Sequence, residues 1–232
     1  MSDLNEMIVD SENGSIQAES KLWDNIMKYI NTLAHLSIVG VTIYLIFLCF
    51  VKEFEYFTWH PFLYTIGWFL FMTEGVLMIS KDNFFNSKLT HLLKVRFHWL
   101  LQTAASGCSI AGFVIIVVKK TRHFRSWHGL MGLLSMVFLV PTCLNGILAL
   151  FNVKLRMYIS PTVNKFFHAI SGILTVVLGS ITMVLSLYTN WFSKMTNKNQ
   201  EIFVACFVFM TFGLLWSLFR PLVTSFRRLR TF

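Results

Sequence analysis

Seven histidines occur in the chain, and four recur in one kind of place. His60, His98, His128 and His168 each sit just inside the start of a long apolar run. Neutral imidazole is the form that binds metals, and burial in apolar surroundings favours it. Apolar runs that cross a membrane in succession alternate in direction. His60 and His128 are therefore expected near one surface, and His98 and His168 near the other. Two nitrogen ligands in each of two layers suit the axial positions of haem iron. Such a site leaves no position open for oxygen and passes single electrons. Zinc calls for three or four converging ligands, commonly with Cys or carboxylate among them. The cysteines Cys49, Cys108, Cys143 and Cys206 fall in or at the ends of four different apolar runs and form no C-x-x-C or C-x-x-C-H motif. Zinc-knuckle, thioredoxin-like and covalently attached haem readings lose their signal with it.

Residues 58–80, TWHPFLYTIGWFLFMTEGVLMIS, carry His60 near their start and Glu74 near their end. Ionisable groups at membrane depth are functional candidates. On a regular helix their fourteen-residue separation leaves them ~40° apart around the axis and ~21 Å apart along it. Glu74 is thus expected at the depth of His98 and His168, accepting a histidine N–H and raising ligand basicity. Gly67, Ala105, Gly132 and Gly172 stand four or seven positions after the four histidines. That spacing stacks them on the histidine faces and predicts room for a flat ligand. Lys94 and Arg96, four and two residues before His98, form an expected donor site for an anion. Lys119, Lys120, Arg122 and Arg125 end three residues before His128 and form an expected cationic rim. His91 shares the face of His98 and is a weaker candidate for substrate contact. His35 and His123 are assigned no role.

The elements that position these groups follow from composition. Hydrophobic residues make up 55% of the 232 and charged ones 13%, against about a quarter charged in soluble domains. That excludes a water-soluble globule. The net charge of +9 does not mark a nucleic-acid binder, because Lys and Arg lie in short segments between apolar runs. Six spans are predicted at residues 29–51, 57–80, 97–118, 127–151, 166–187 and 202–219. Lys and Arg are more frequent in the flanks on the N-terminal side, which places both termini in the cytoplasm. The loop 119–125 runs against that trend. The fold class is an all-α polytopic membrane protein. Six of the eleven acids lie in the first 24 residues, which lack the basic start of a signal peptide. The division expected is a disordered acidic tail over 1–28, a helical domain over 29–219 and a basic tail over 220–232. Trp59, Trp99 and Trp127 read as interfacial anchors, and Pro141 as a kink in span four.

The ordered set TWHP, FLFMTEG, VRFHWLLQ, WHGLMG and FHAISG resembles the cytochrome b561 family, most nearly its short cytochrome b561 domain-containing branch, over roughly residues 34–219. The chain departs from the vesicular members, which carry an ALLVYR-like run where this one reads VLMISKDNFFNSKLTHLLKVR. The resemblance implies spans two to five as a four-helix core and two non-covalent b haems, with His60 and His128 on the outer iron and His98 and His168 on the inner. It also implies electron transfer from cytoplasmic ascorbate to monodehydroascorbate or ferric chelates on the far side of a bilayer. The expected setting is an endoplasmic-reticulum or vesicle membrane, with a homodimer allowed and no nucleic acid as partner. The rival readings are a His/Glu transporter or proton relay without haem, which prefers charge at the midplane, and a membrane scaffold, which leaves four matched histidines unexplained.

Overall fold

The computed structural model describes the backbone of residues 2–79 and 88–229. Helix α1 (Ser2–Phe50) leads through a 3-10 turn (Tyr56–Thr58) to α2 (Trp59–Tyr64), a π-helical segment (Thr65–Met72) and α3 (Thr73–Leu77). Then come α4 (His91–Lys119), α5 (Trp127–Leu150), the short α6 (Asn152–Leu155), α7 (Pro161–Ser186), the short α8 (Asn190–Met195) and α9 (Gln200–Leu229). Five of these, α1, α4, α5, α7 and α9, are long and apolar enough to cross a bilayer. The chain is an all-α polytopic membrane protein. Residues 80–87, at the end of span two and in the run that follows it, lie outside the described residues.

The second expected span is helical from Trp59 to Leu77 but not uniformly α. In the π-helical part each N–H reaches back five residues instead of four, which adds a residue to the turn and frees i−4 carbonyls. Two side chains take up carbonyls released there. The buried Thr73 hydroxyl donates to Phe69 and, at 3.1 Å, to Leu70. Gln102 of α4 donates from Nε2 to the Met72 carbonyl at 3.0 Å. One inserted residue turns everything after it by ~100°, and that rotation matters for Glu74.

The acidic segment read as a disordered tail is instead the first half of α1. Extending a helix that a membrane span has already nucleated costs little, and acidic groups favour a helix N-terminus. From Glu19 to Asn25 the helix is exposed, so no packing holds this part in place. At the other end α9 likewise continues into the basic segment.

Spans two and three pack as one antiparallel hairpin, α5 and α7 as another, and α1 lies against α9. Trp68, Phe69 and Met72 of the π-helical segment are buried in the core with Ile38 and Leu45 of α1 and Met210 and Leu214 of α9. Trp68 lies so close to Gly179 of α7 that no side chain fits there. The buried Asn31 accepts from Trp216 Nε1 at 3.0 Å and ties α1 to α9. α5 runs on through Pro141. Trp59, Trp99 and Trp127 are all exposed, as interfacial anchors should be.

Candidate functional site

Local sequence fixes where each histidine is presented. Ser126 caps α5 by accepting from Gly129 N at 3.2 Å, which sets His128 in its first turn. Thr90 caps α4 by accepting from Leu93 N. Pro161 opens α7, a position where its missing N–H and fixed φ suit the helix start.

The four histidines then share one device. Each donates from Nδ1 to a backbone carbonyl of its hairpin partner: His60 to Gly112 at 3.0 Å, His98 to Gly75 at 2.7 Å, His128 to Thr182 at 3.0 Å and His168 to Thr142 at 3.2 Å. A carbonyl only accepts, so the proton of each neutral ring is on Nδ1. The lone pair is left on Nε2, which makes no hydrogen bond to the described residues. This is the arrangement by which proteins orient metal-binding imidazoles.

Across the hairpins the rings meet in two pairs. His60 faces His128 with centroids 6.3 Å apart and planes at 90°. His98 faces His168 at 6.4 Å and 88°. An imidazole nitrogen binds a metal at about 2 Å, so two rings on opposite sides of one metal have centroids roughly 6 Å apart. The residues present therefore fit a ligand bound axially by two imidazoles. No group of three or more His, Cys, Asp or Glu among the described residues is arranged to hold a metal ion. The four cysteines are free.

The small residues do something other than leave room for a flat ligand. A Cβ on Gly67 would lie 2.5 Å from Cys108 Cβ, and one on Gly132 3.4 Å from Thr182 Cγ2. One on Gly172 would lie 3.7 Å from Thr142 Cγ2, and Ala105 is fully buried. These positions bring the two helices of each hairpin together. Thr182 and Thr142 are the residues whose carbonyls accept His128 and His168. The other two acceptors, Gly112 and Gly75, are themselves close contacts, against Tyr64 and Gln102. Close packing places each carbonyl where a histidine reaches it.

Glu74 does not meet a histidine of either pair. It pairs with His35 of α1, Oε2 to Nδ1 at 2.6 Å. The expectation assumed an unbroken α-helix, and the π-helical segment turns Glu74 away from the face of His60 and towards α1. His35, assigned no role from sequence, is buried at this contact. One signal in the sequence points to it: His35 and Glu74 each lie six residues from the cytoplasmic end of their predicted spans, and ionisable groups at one depth tend to pair.

Lys94 is half-buried and Arg96 exposed in the first two turns of α4, on the side of the His98–His168 pair. Lys119 at the end of α4 and Lys120, Arg122 and Arg125 between α4 and α5 are all exposed. Lys120 is close enough to His60 and His128 for its charge to act on both. His123 donates from Nε2 to the Val117 carbonyl at 2.8 Å, at the end of α4, and His91 is exposed.

A helical membrane bundle with two facing imidazole pairs belongs to the class of membrane cytochromes. Residues 59–193 match the model of the eukaryotic cytochrome b561 family, and the chain belongs to that family, whose members bind haem b. It is accordingly a protein of transmembrane electron transfer. The protein named transmembrane reductase CYB561D2 of Mus musculus is 28% identical over 183 residues, covering 77% of this chain and 82% of the relative. Its Homo sapiens counterpart is 28% identical over 197 residues, with 83% and 88% covered. The probable transmembrane reductase CYB561D1 of Mus musculus is 30% identical over 167 residues, with 69% and 71% covered. No solved structure matches the chain significantly.

Proposed function

We propose that the chain is a di-haem transmembrane reductase, oxidising ascorbate on the cytoplasmic side and reducing monodehydroascorbate or ferric chelates on the other. His60 and His128 hold the outer haem iron, and His98 and His168 the inner. Held by these histidines, haem would supply reversible one-electron iron chemistry. The observation that carries the reading is the pair of ring separations, 6.3 and 6.4 Å, with all four Nδ1 atoms engaged by carbonyls. The relatives named transmembrane reductases support it, as does the bias of Lys and Arg that puts both termini in the cytoplasm. An endoplasmic-reticulum or vesicle membrane is the setting.

The chain's own residues supply binding and orientation. Lys94 and Arg96 draw the ascorbate monoanion to the inner mouth beside His98. Lys119, Lys120, Arg122 and Arg125 raise the local concentration of anionic acceptors at the outer mouth. The carbonyls of Gly112, Gly75, Thr182 and Thr142 hold the imidazole planes fixed, so little reorganisation accompanies electron transfer. The test is the visible spectrum of protein purified from haem-supplied cells, before and after ascorbate. The reading expects a low-spin b-type spectrum that ascorbate reduces. A colourless preparation overturns it.

A further inference from the structure

We infer that the His35–Glu74 pair is a proton-binding site tied to the redox state of the His98–His168 pair, an inference that rests on the haem reading above. His35 Nδ1 and Glu74 Oε2 are 2.6 Å apart, the short distance of a charge-assisted hydrogen bond. The second carboxylate oxygen, Oε1, is buried and accepts no hydrogen bond from the described residues. A buried acceptor left unpaired carries a desolvation penalty, larger when the group is charged, and a proton on Oε1 removes the carboxylate's charge. With His35 Nε2 protonated and one further proton between Nδ1 and Oε2, the pair is neutral overall. A third proton, on Oε1, leaves an imidazolium beside a neutral carboxyl and a net charge of +1. Glu74 is the only acidic residue within the six predicted spans.

The pair is wired to the site by covalent structure. Glu74 is one peptide bond from Gly75, whose carbonyl accepts the Nδ1–H of His98 at 2.7 Å. An electron reaching the iron between His98 and His168 adds a negative charge close by, where low dielectric strengthens its pull on a proton. For each electron that arrives from the donor, Glu74 Oε1 gains one proton from water and an O–H bond forms. When the electron passes on towards His60 and His128, that bond breaks and the proton returns to water. Charge near the site is thereby unchanged over the cycle.

The titratable or charged side chains nearest the pair along the packed elements are Lys28, Tyr29 and Tyr44 of α1, and His91, Lys94, Arg96 and His98 of α4; Cys49 of α1, Cys108 and Lys119 of α4, and Glu201 and Cys206 of α9 lie further along. Lys28 is exposed and seven residues before His35, ~10 Å along the helix. Lys94 and Arg96 stand at the start of α4, before the His98 turn. Tyr44 is nine residues beyond His35, ~13 Å along α1, and lies with Cys206. The Nδ1–H of His98 is committed to Gly75. Glu74 Oε1 is the buried acceptor these groups leave open.

The test is potentiometric titration of the purified holoprotein across about pH 5–9. The His98–His168 component is identified as the one that survives in His60→Ala. Its midpoint should be highest at low pH, because the reduced state binds the extra proton, and should fall as pH rises. The limit for one proton per electron is about 59 mV for each tenfold change in proton concentration. Glu74→Gln should flatten the slope and Glu74→Asp should keep it. A flat midpoint in the parent, or an unchanged slope in Glu74→Gln, overturns the inference. If Glu74→Gln does not fold, the parent alone decides. Its reduced-minus-oxidised infrared difference spectrum should gain a protonated-carboxyl band that shifts in D2O and on 13C-glutamate labelling, which separates it from haem propionates. Absence of that band overturns the inference. A preparation without haem strikes at the haem reading instead.

Discussion

The two histidine pairs are built alike and placed differently. Each takes one histidine from each hairpin, ties both Nδ1 atoms to carbonyls, and holds the rings near perpendicular at 6.3 or 6.4 Å. Around His60 and His128 the neighbours are Tyr64, its ring 4.9 Å from His60, and the charge of Lys120 at the edge of an exposed cationic loop. Beside His98 and His168 the first turns of α4 carry Lys94 and Arg96, and behind Gly75 stands the part-buried His35–Glu74 pair. Equal ring geometry is thus set in unequal surroundings, an exposed cationic loop before α5 on one side and the His35–Glu74 pair on the other. On the proposed reading the loop serves the acceptor mouth, and the pair serves proton binding at the donor side.

The largest contrast should come within the His98–His168 layer, between Gly75 and Gly172. At Gly75 a Cβ would meet Gln102 Nε2 at 2.7 Å and Leu101 Cβ at 3.2 Å, whereas at Gly172 it would meet only Thr142 Cγ2 at 3.7 Å. Gly75→Val should displace the carbonyl that orients His98 and lower haem affinity at that layer by about 10–100-fold, the usual cost of losing a ligand's orienting partner. Gly172→Ala should leave haem content unchanged. Haem titration of the two purified variants checks this, and equal losses would show that packing does not set the carbonyls.

A smaller effect is expected at the cationic loop. Changing Lys119, Lys120, Arg122 and Arg125 together to Gln should slow oxidation of the reduced protein by ferric citrate on the order of tenfold at low salt. Added salt should slow the parent more than the variant, since exposed charges act over ~10 Å at 0.1 M. Reduction by ascorbate should not change. Stopped-flow traces showing the same salt dependence in both proteins would remove the loop from acceptor choice.

The smallest effect belongs to Lys94→Gln with Arg96→Gln. Ascorbate reduction should weaken severalfold, through KM more than kcat, because exposed charges at a solvated mouth are individually worth little. Dithionite reduction should stay intact, and equal loss with both reductants would point to damage at His98 instead.

What the sequence made legible was depth. His60, His98, His128 and His168 announce themselves because a helix start is marked by caps and composition, and alternating spans convert order into layers. The carbonyls of Gly112, Gly75, Thr182 and Thr142 could not be read, since every residue has a carbonyl and only packing selects one. Gly132 and Gly172 were expected to clear space for a ligand, yet they face Thr182 and Thr142 and seat those acceptors. Glu74 was placed by a period of 3.6 that the π-helical segment breaks, and neither Thr65 nor Met72 marks such a segment in advance. The acidic start of α1 was read from composition alone, which carries no information on whether an adjoining helix will propagate through it.

The central claim, that each layer is one binding unit made by both hairpins, is tested most directly by counting haem per protein in double variants. His60→Ala with His128→Ala should retain one haem, as should His98→Ala with His168→Ala, each matching its single changes. His60→Ala with His168→Ala should retain none. One haem remaining in that cross-layer variant, or none in either same-layer variant, would contradict the pairing.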